Sequence, residues 1–286
     1  MGTRRPAVAG SFYPGSPAAL RAAVASMAPP VASPARALAV VVPHAGYAYS
    51  GRVAGETWAR AEVPRLVCLL ATNHTGAGPA FSVWPGGRWL GPAGDIPVDD
   101  RLTRAILDGC PGAVADEEAE TGEHSAEVQV PFILHRRPDA RLAVVTIAGF
   151  RLPEREQLDR LRAFGTALGR VAAAAGEPVL VAASSDMSHV GASFSQEPPE
   201  GETADAFARA QDRAVLDRYL ALDVEGFHRV VREKSVTMCG WAPALVALCA
   251  ALGQGATRAE LVRYATCADI TGDVTHVVGY AGVLIA

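Results

Sequence analysis

Five side chains that can bind a metal or transfer a proton stand where apolar runs of the chain end or where a helical pattern begins. They are His44, His74, Asp186, His189 and Cys239. Imidazole, carboxylate and thiolate groups are ligands for zinc, iron and copper. None of the five lies in a compact signature such as HExxH, so a metal site here requires the fold to bring distant segments together.

The apolar runs that precede these side chains are predicted to be strands of one sheet. Four of the five runs are continuously apolar, which is typical of strands covered by helices on both faces. The runs are residues 38–42, 66–71, 142–147, 179–183 and 277–285. Helical patterns cover residues 18–27, 51–61, 100–107, 125–136, 154–174, 203–221, 224–233 and 241–252. In open α/β sheets, ligands bind beyond the carboxyl ends of the strands, where His44, His74 and Asp186 would lie.

Alternating strands and helices predict an α/β fold: a three-layer αβα sandwich with a mostly parallel or mixed central sheet. No internal repeat or long linker divides the chain, so we expect one domain over residues 1–286. The expected helix N-caps are Asp99 or Asp100, Asp223 and Ser125. The expected loops are residues 29–34, 76–94 and 193–202. The last loop is rich in proline and glutamate and could form a mobile flap over the site.

The composition argues against several classes of protein. A chain of 286 residues, half of them hydrophobic, can bury a large core. A net charge of -4 and the absence of a Lys/Arg run argue against nucleic-acid binding. No apolar stretch is long enough to cross a bilayer, and the N-terminus has no signal core, so we expect a cytoplasmic protein without membrane contact. Five scattered cysteines without a CxxC pair fit that location and argue against a cysteine-based structural zinc site.

The local sequence suggests a role for each candidate. Proline and glycine neighbours shape a tight turn around His44, which would aim its ring at the crevice. Asp186 and His189 are three residues apart, so a helical turn would place them on one side. His189 could then act as a general acid/base, with Asp186 orienting it or serving as a further ligand. Cys239 opens a helix, and a helix N-terminus lowers the pKa of a thiol toward the thiolate that binds metals.

A further polar cluster is the segment Glu123-His124-Ser125-Ala126-Glu127-Val128-Gln129. Glu123 and His124 could reach the crevice beside the metal or contact substrate, or they could be ordinary capping residues. The remaining histidines have no comparable setting and are interpreted as surface or structural: His135, His228 and His276. Neither a GxSxG elbow nor a glycine-rich phosphate loop is present, so the chain lacks the signatures of serine hydrolases and nucleotide-binding proteins.

Segments spread along the whole chain resemble the MEMO family, known in bacteria and archaea as AmmeMemoRadiSam system protein B. Any one of the segments alone would be unspecific, but together and in this order they are specific. They are Ala9-Gly10-Ser11-Phe12-Tyr13-Pro14, Pro43-His44-Ala45-Gly46-Tyr47, Ser50-Gly51, Asn73-His74, residues 123–132, Ser184-Ser185-Asp186-Met187-Ser188-His189, Met238-Cys239-Gly240 and Gly279-Tyr280-Ala281-Gly282.

The resemblance implies a fold like that of the class III extradiol dioxygenases, which hold a mononuclear non-haem iron. It implies that His44, His74 and Cys239 bind the metal. His189 matches the catalytic acid/base, with Asp186 beside it. The residues expected to support the ligands or contact substrate are Tyr47, Asn73, Glu123 and His124.

The resemblance makes Fe(II) the expected metal, with copper or zinc as alternatives. Cys239 replaces the carboxylate that completes the iron site of the dioxygenases, and a thiolate is a softer ligand. The position after Cys239-Gly240 also differs, because Trp241-Ala242-Pro243 stands where relatives such as the human protein carry Arg-His-Pro. The substrate pocket is therefore expected to be altered there.

Three functions remain open from the sequence. The first is a dioxygenase-like redox enzyme acting on a small-molecule or peptide substrate, with His189 moving protons. The second is a non-catalytic metal-binding or scaffolding protein on the same fold, since a fold does not determine function. The third is a zinc-dependent hydrolase. The family name further implies a functional link to AMMECR-like and radical SAM proteins.

Overall fold

Helices cover both faces of a mixed sheet in the computed structural model, which describes residues 2–148 and 153–286. The strands are β1 (Thr3–Arg4), β2 (Ala39–Val42), β3 (Leu66–Thr72), β4 (Phe81–Val83), β5 (Arg88–Trp89), β6 (Ile96–Pro97), β7 (Ala113–Ala115), β8 (Arg141–Ile147), β9 (Val179–Ser184), β10 (His189–Val190), β11 (Ala259–Thr266) and β12 (Val277–Ile285). The helices are α1 (Pro17–Met27), α2 (Tyr47–Arg60), α3 (Asp100–Gly109), α4 (Val130–Arg136), α5 (Glu154–Ala173), α6 (Ala204–Leu220), α7 (Val224–Glu233), α8 (Trp241–Gly253) and α9 (Ala268–Thr271). The predicted three-layer α/β sandwich is confirmed.

Parallel pairing at the centre of the large sheet aligns the carboxyl ends of the strands that precede the candidate site. The strand order is β10-β12-β2-β9-β3-β8-β4-β7, and β11 also pairs with β12. β9 is parallel to both β2 and β3, and β3 is parallel to β8. The pairs of β12 with β2, β10 and β11 are antiparallel. The sheet is therefore mixed, and β9 lies between β2 and β3, the two strands that precede His44 and His74.

Alternate side chains of the central strands pack into two separate cores. In β3, Cys68 and Leu70 face the core formed with α3, α5, α6, α7 and α8. Leu69 and Ala71 face the core formed with α1, α2 and α4. Burial on both faces explains why β3 is continuously apolar in sequence. On the first face α5 and α8 approach closely at Gly169, where a Cβ would lie 2.4 Å from the Ala250 carbonyl oxygen.

One predicted helix begins later than expected. The pattern over residues 125–136 predicts a single helix capped by Ser125, but α4 begins only at Val130, after a 3-10 turn at Glu127–Gln129. The hydroxyl of Ser125 instead donates to the Thr72 carbonyl and accepts from the Thr72 amide, each at 3.0 Å. Ser125 therefore secures the end of β3 rather than the start of a helix.

Other differences lie where burial is partial or turns are short. The predicted loop over residues 76–94 contains β4 and β5, and α2 begins at Tyr47 rather than at residue 51. β11 was not predicted, because most of its side chains are only partly buried and their pattern is irregular. Asp99 and Asp223 do cap α3 and α7, since their carboxylates accept from backbone amides three residues later at 2.8 Å.

Arg4 ties the N-terminal segment to buried glutamates. Its guanidinium donates to the Glu127 carboxylate at 2.7 Å and to the Glu123 carbonyl, and lies 3.5 Å from Glu120 Oε2. Glu127 also accepts from the Tyr13 hydroxyl at 2.7 Å. One cation thus serves two buried carboxyl groups. Burial raises the pKa of Glu120 to about 7, although Arg4 opposes this effect.

Replacing Glu120 by Gln is predicted to remove a pH dependence of stability. The pKa of Glu120 is about 7 in the folded chain against ~4.3 in the unfolded chain, so the folded state binds the proton more tightly. This difference adds to the free energy of unfolding. The contribution is complete below pH ~4.3 and is lost as the pH rises through 7. At about 1.36 kcal/mol per pKa unit, wild type should lose roughly 2–3 kcal/mol more than Glu120→Gln between pH 5 and pH 8. Urea unfolding at both pH values measures this. The exposed neighbour Glu118→Gln is the control, and equal pH dependence of wild type and Glu120→Gln would contradict the prediction.

Candidate metal centre

The carboxyl ends of β2, β9 and β3 bring His44, Asp186 and His74 to one edge of the sheet. Cys239 reaches the same place from the turn before α8. The Nε2 atom of His44 lies 3.2 Å from Cys239 Sγ and 3.9 Å from Asp186 Oδ2. The ring centroids of His44 and His74 are 5.1 Å apart. His44 is therefore the residue around which the donor groups gather, and its ring is buried.

Two sets of possible metal donors share His44. Among the described residues, donor atoms within 4.8 Å of one another belong either to His44, His74 and His124 or to His44, Asp186 and Cys239. The ligand set implied by the family resemblance takes members from both. The ring of His124 stacks on that of His74 at 4.6 Å and lies 5.4 Å from that of His44. His124, expected to support the ligands or contact substrate, thus also lies within reach of a metal.

The Glu123 carboxylate orients His74. Its Oε1 atom lies 3.0 Å from His74 Nδ1, and its Oε2 atom accepts from the His74 backbone amide at 2.7 Å. Burial alone would raise the pKa of Glu123, but hydrogen bonds from His74 and from the Ser125 amide lower it well below its usual range. An ionised carboxylate can only accept, so His74 carries a hydrogen on Nδ1, and in the neutral ring Nε2 keeps its lone pair. This is the arrangement of carboxylate–histidine–metal triads.

Asp186 fixes the turn that presents His44. Its Oδ1 atom accepts from the backbone amides of His44 and Ala45, at 2.8 and 3.2 Å. Burial raises the pKa of Asp186, while the nearby His189 ring and the two amides oppose that rise. Burial also lowers the pKa of His44, which favours its neutral, metal-binding form. Asp186 therefore supports the His44 turn as well as lying near the His44 ring.

His189 is held by backbone carbonyls. Its Nδ1 atom lies 3.0 Å from both the Met187 and the Thr237 carbonyl oxygens. A carbonyl only accepts, so Nδ1 carries a hydrogen and Nε2 is the atom left to exchange a proton. The chain between Asp186 and His189 forms no helix, so the expected shared helical face does not form. Phe194 packs edge-on against the His189 ring at 5.1 Å.

The thiol of Cys239 is not activated by the helix that follows it. Burial, reinforced by the Asp186 carboxylate, raises the pKa of Cys239 above its ordinary value. The expectation of a thiolate is not met in the protein without metal, because burial outweighs the hydrogen bond with the Gly240 amide, which lowers the pKa of Cys239. Gly240, rather than Cys239, is the N-cap of α8. Gly240 lets this turn approach β9 closely, since a Cβ there would lie 2.5 Å from Ser185 Cβ. A metal bound at the sulfur would deprotonate it outright.

Two of the residues expected to support the ligands or contact substrate make hydrogen bonds to the backbone of nearby segments. The Tyr47 hydroxyl is buried and donates to the Val128 carbonyl at 2.7 Å. Asn73 closes the turn after β3, with its Oδ1 atom accepting from the Gly76 amide and its Nδ2 atom donating to the Ala77 carbonyl, each at 2.7 Å.

Sequence reasoning missed two residues that act on His44. The Ser184 hydroxyl lies 3.0 Å from His44 Nδ1, and the Gln129 amide donates to the same hydroxyl at 3.1 Å. Ser184 was named above only as part of a motif that resembles the MEMO family. The signal available in the sequence was its place as a polar residue directly after a continuously apolar run.

Helices on both faces of a mixed sheet, with imidazole, carboxylate and thiol groups at its carboxyl edge, define an α/β sandwich protein with a candidate metal centre. A family model described as Memo-like protein matches residues 4–284. MEMO1 family proteins of Methanothermobacter thermautotrophicus and Aquifex aeolicus are each 35% identical to this chain, over 97% and 99% of it and 98% and 99% of the relatives. A MEMO1 family protein of Methanopyrus kandleri is 34% identical over 98% of both chains. The chain belongs to the Memo-like family.

Within the part of the chain that the structure describes, no helix is both long enough and apolar enough to cross a bilayer.

Metal affinity is predicted to depend on Glu123. The Glu123→Gln variant keeps the side-chain shape but loses the charge that fixes the hydrogen on His74 Nδ1. Loss of such a support costs roughly 10–100-fold in metal affinity. Chelator competition measures the change, with the exposed Glu118→Gln as the control. An unchanged affinity in Glu123→Gln would show that the carboxylate does not act on a metal ligand.

Proposed function

We propose that this protein binds one transition-metal ion through His44, His74 and Cys239 and acts as a dioxygenase-like redox enzyme of the non-haem iron type. Iron(II) is the proposed metal, with copper as the alternative. The observation that carries the proposal is the surroundings of His44 Nε2, which faces Cys239 Sγ at 3.2 Å on a buried ring. The resemblance of the family to class III extradiol dioxygenases supports it further.

The donor groups fit such a metal. Imidazole and thiolate ligands suit iron, copper or zinc, whereas magnesium and calcium take oxygen ligands. His74 has its Nδ1 atom held by Glu123, which leaves Nε2 for a metal. His124 and Asp186 lie close enough to serve as additional donors. A bound iron or copper ion would supply one-electron redox chemistry at this edge of the sheet.

His189 supplies the proton-transfer function in this proposal. With Nδ1 held by two backbone carbonyls, the ring can accept and release a proton only at Nε2. The ring is partly exposed, and Phe194 shields one side of it. A positioned general acid/base contributes roughly 10²–10⁴-fold to a rate.

The substrate is proposed to be a small molecule or peptide, and the proposed location is the cytoplasm. The name of the resembling family points to a functional link with AMMECR-like and radical SAM proteins. The identity of the metal distinguishes a zinc hydrolase from the redox enzyme. A non-catalytic binding protein would show no reductant-dependent oxygen consumption.

Metal content provides the first test. The variant carrying both His44→Ala and His74→Ala should lose stoichiometric metal after anaerobic purification, because two of three ligands are gone. Cys239→Ser should remove a thiolate-to-metal charge-transfer band from the copper(II) or iron form. The exposed His135→Ala should change neither. Full metal content in the double variant by elemental analysis would refute the ligand assignment.

His189→Ala should keep its metal and lose roughly 10²–10⁴-fold of any metal-dependent turnover, since it removes proton transfer but no ligand. Oxygen consumption with a reductant measures turnover, and elemental analysis measures the metal. His276→Ala is a matched control, because His276 stacks on the same Phe194 ring at 4.4 Å. Loss of metal in His189→Ala would make His189 a ligand, and undiminished turnover would make it a structural residue.

A further inference from the structure

We infer that Ser184, held in one orientation by Gln129, is a positioning residue that sets the tautomer of His44 and leaves the Nε2 lone pair for a metal. The purpose of this arrangement rests on the proposed function. The arrangement itself follows from buried hydrogen bonds in which several members can only donate or only accept.

The series of hydrogen bonds that orients Ser184 begins at Trp58. Its indole N–H can only donate, and Nε1 lies 2.9 Å from Gln129 Oε1. The Gln129 Nε2 atom lies 2.8 Å from the Pro43 carbonyl, which can only accept. Both contacts require the same orientation of the amide. Gln129 Nε2 is therefore a donor toward its remaining neighbour, the Ser184 hydroxyl, at 3.1 Å.

The Ser184 hydroxyl has one hydrogen and two lone pairs. Its hydrogen goes to the Ser125 carbonyl, at 2.7 Å, because a carbonyl can only accept. One lone pair accepts from Gln129. The other lies 3.0 Å from His44 Nδ1, so that nitrogen must carry a hydrogen and donate it. In the neutral ring the lone pair is then on Nε2, which faces Cys239 Sγ.

Burial makes this assignment strict. Trp58, Gln129 and Ser184 are each 0% exposed and His44 is 2% exposed, so these groups are shielded from bulk water as an alternative partner. In the opposite tautomer, Ser184 would have to turn its hydrogen toward His44. The Ser125 carbonyl would then lose its hydrogen bond inside the protein, which is costly.

The segment of residues 123–129 thereby acquires a role at both histidines. Its first residue, Glu123, holds Nδ1 of His74 directly. Its Ser125 carbonyl and Gln129 amide hold Nδ1 of His44 through Ser184. In the neutral form, both rings consequently keep their lone pair on the same nitrogen, Nε2.

The test is long-range ¹H–¹⁵N NMR of the full chain, labelled in its imidazole nitrogens and freed of metal by a chelator, with the His44 signals assigned from His44→Ala. Wild-type His44 should be protonated at Nδ1. Ser184→Ala removes the acceptor that Nδ1–H requires, so the tautomer ratio should shift toward Nε2–H by roughly tenfold or more. Ser50→Ala is the matched control, since Ser50 is a buried serine whose hydroxyl donates to the Ala45 carbonyl.

A wild-type His44 protonated at Nε2 overturns the inference, whether or not Ser184→Ala folds. An unchanged ratio in a folded Ser184→Ala also overturns it. Chelator competition with iron(II) or copper gives the second readout: affinity should fall roughly tenfold in Ser184→Ala but not in Ser50→Ala. If wild-type His44 is the Nδ1–H tautomer but the protein binds no stoichiometric metal, the role of Ser184 is supported and the proposed function is refuted. If the protein binds metal but its metal-free His44 is the Nε2–H tautomer, the role of Ser184 is refuted and metal binding is supported.

Discussion

The parallel pairing of β9 with both β2 and β3 is the constraint on which the rest of the site depends. It sets Val42 opposite Ser184, and the Ser185 amide donates to the Val42 carbonyl at 2.8 Å. A slip of one residue would turn every side chain of β9 to the other face and withdraw the Ser184 hydroxyl from His44. Burial on both faces opposes such a slip, because each face has its own core. The apolar packing of the strands therefore fixes the polar geometry at their ends.

The hydrogen bonds at the site interrupt the predicted helix in the polar segment before α4, residues 123–129. Its helical pattern is interrupted because Glu123, Ser125 and Gln129 make hydrogen bonds to the ends of β3 and β9 and to the histidine segments. Buried polar networks stabilise only when their members are satisfied, and here carbonyls, amides and hydroxyls have matched partners. Tyr47 and Arg4 brace the same segment through the carbonyls of Val128 and Glu123. The helix is shortened where its residues serve neighbouring strands instead.

The sequence was informative where one local property decides the outcome. Continuous apolar runs predicted the central strands, and strand ends predicted that His44, His74 and Asp186 would meet. The order of motifs predicted the family, which the comparisons confirm. Ser125 was wrongly predicted to be a helix N-cap. A serine that caps a helix and a serine that bonds the end of a strand look the same in sequence, and only the distant partner Thr72 distinguishes the two roles. The orientation of His189 depends on the Thr237 carbonyl, and that of His44 on Gln129; such contacts between distant segments leave no periodic signal in sequence.

Two backbone hydrogen bonds to Gly279 affect when the site can form during synthesis of the chain. The segment that carries Asp186 and His189 is bonded on both sides of Met187 to Gly279, since the Met187 amide donates to the Gly279 carbonyl at 2.8 Å and the Gly279 amide donates to the Ser188 carbonyl at 2.9 Å. Gly279 lies in β12, the last strand, which also separates β10 from β2. During synthesis from the N-terminus, the segments that carry His44, His74 and Cys239 leave the ribosome before β12 does. The edge of the sheet can therefore close only after β12 has been synthesised, later than the segments that carry His44, His74 and Cys239.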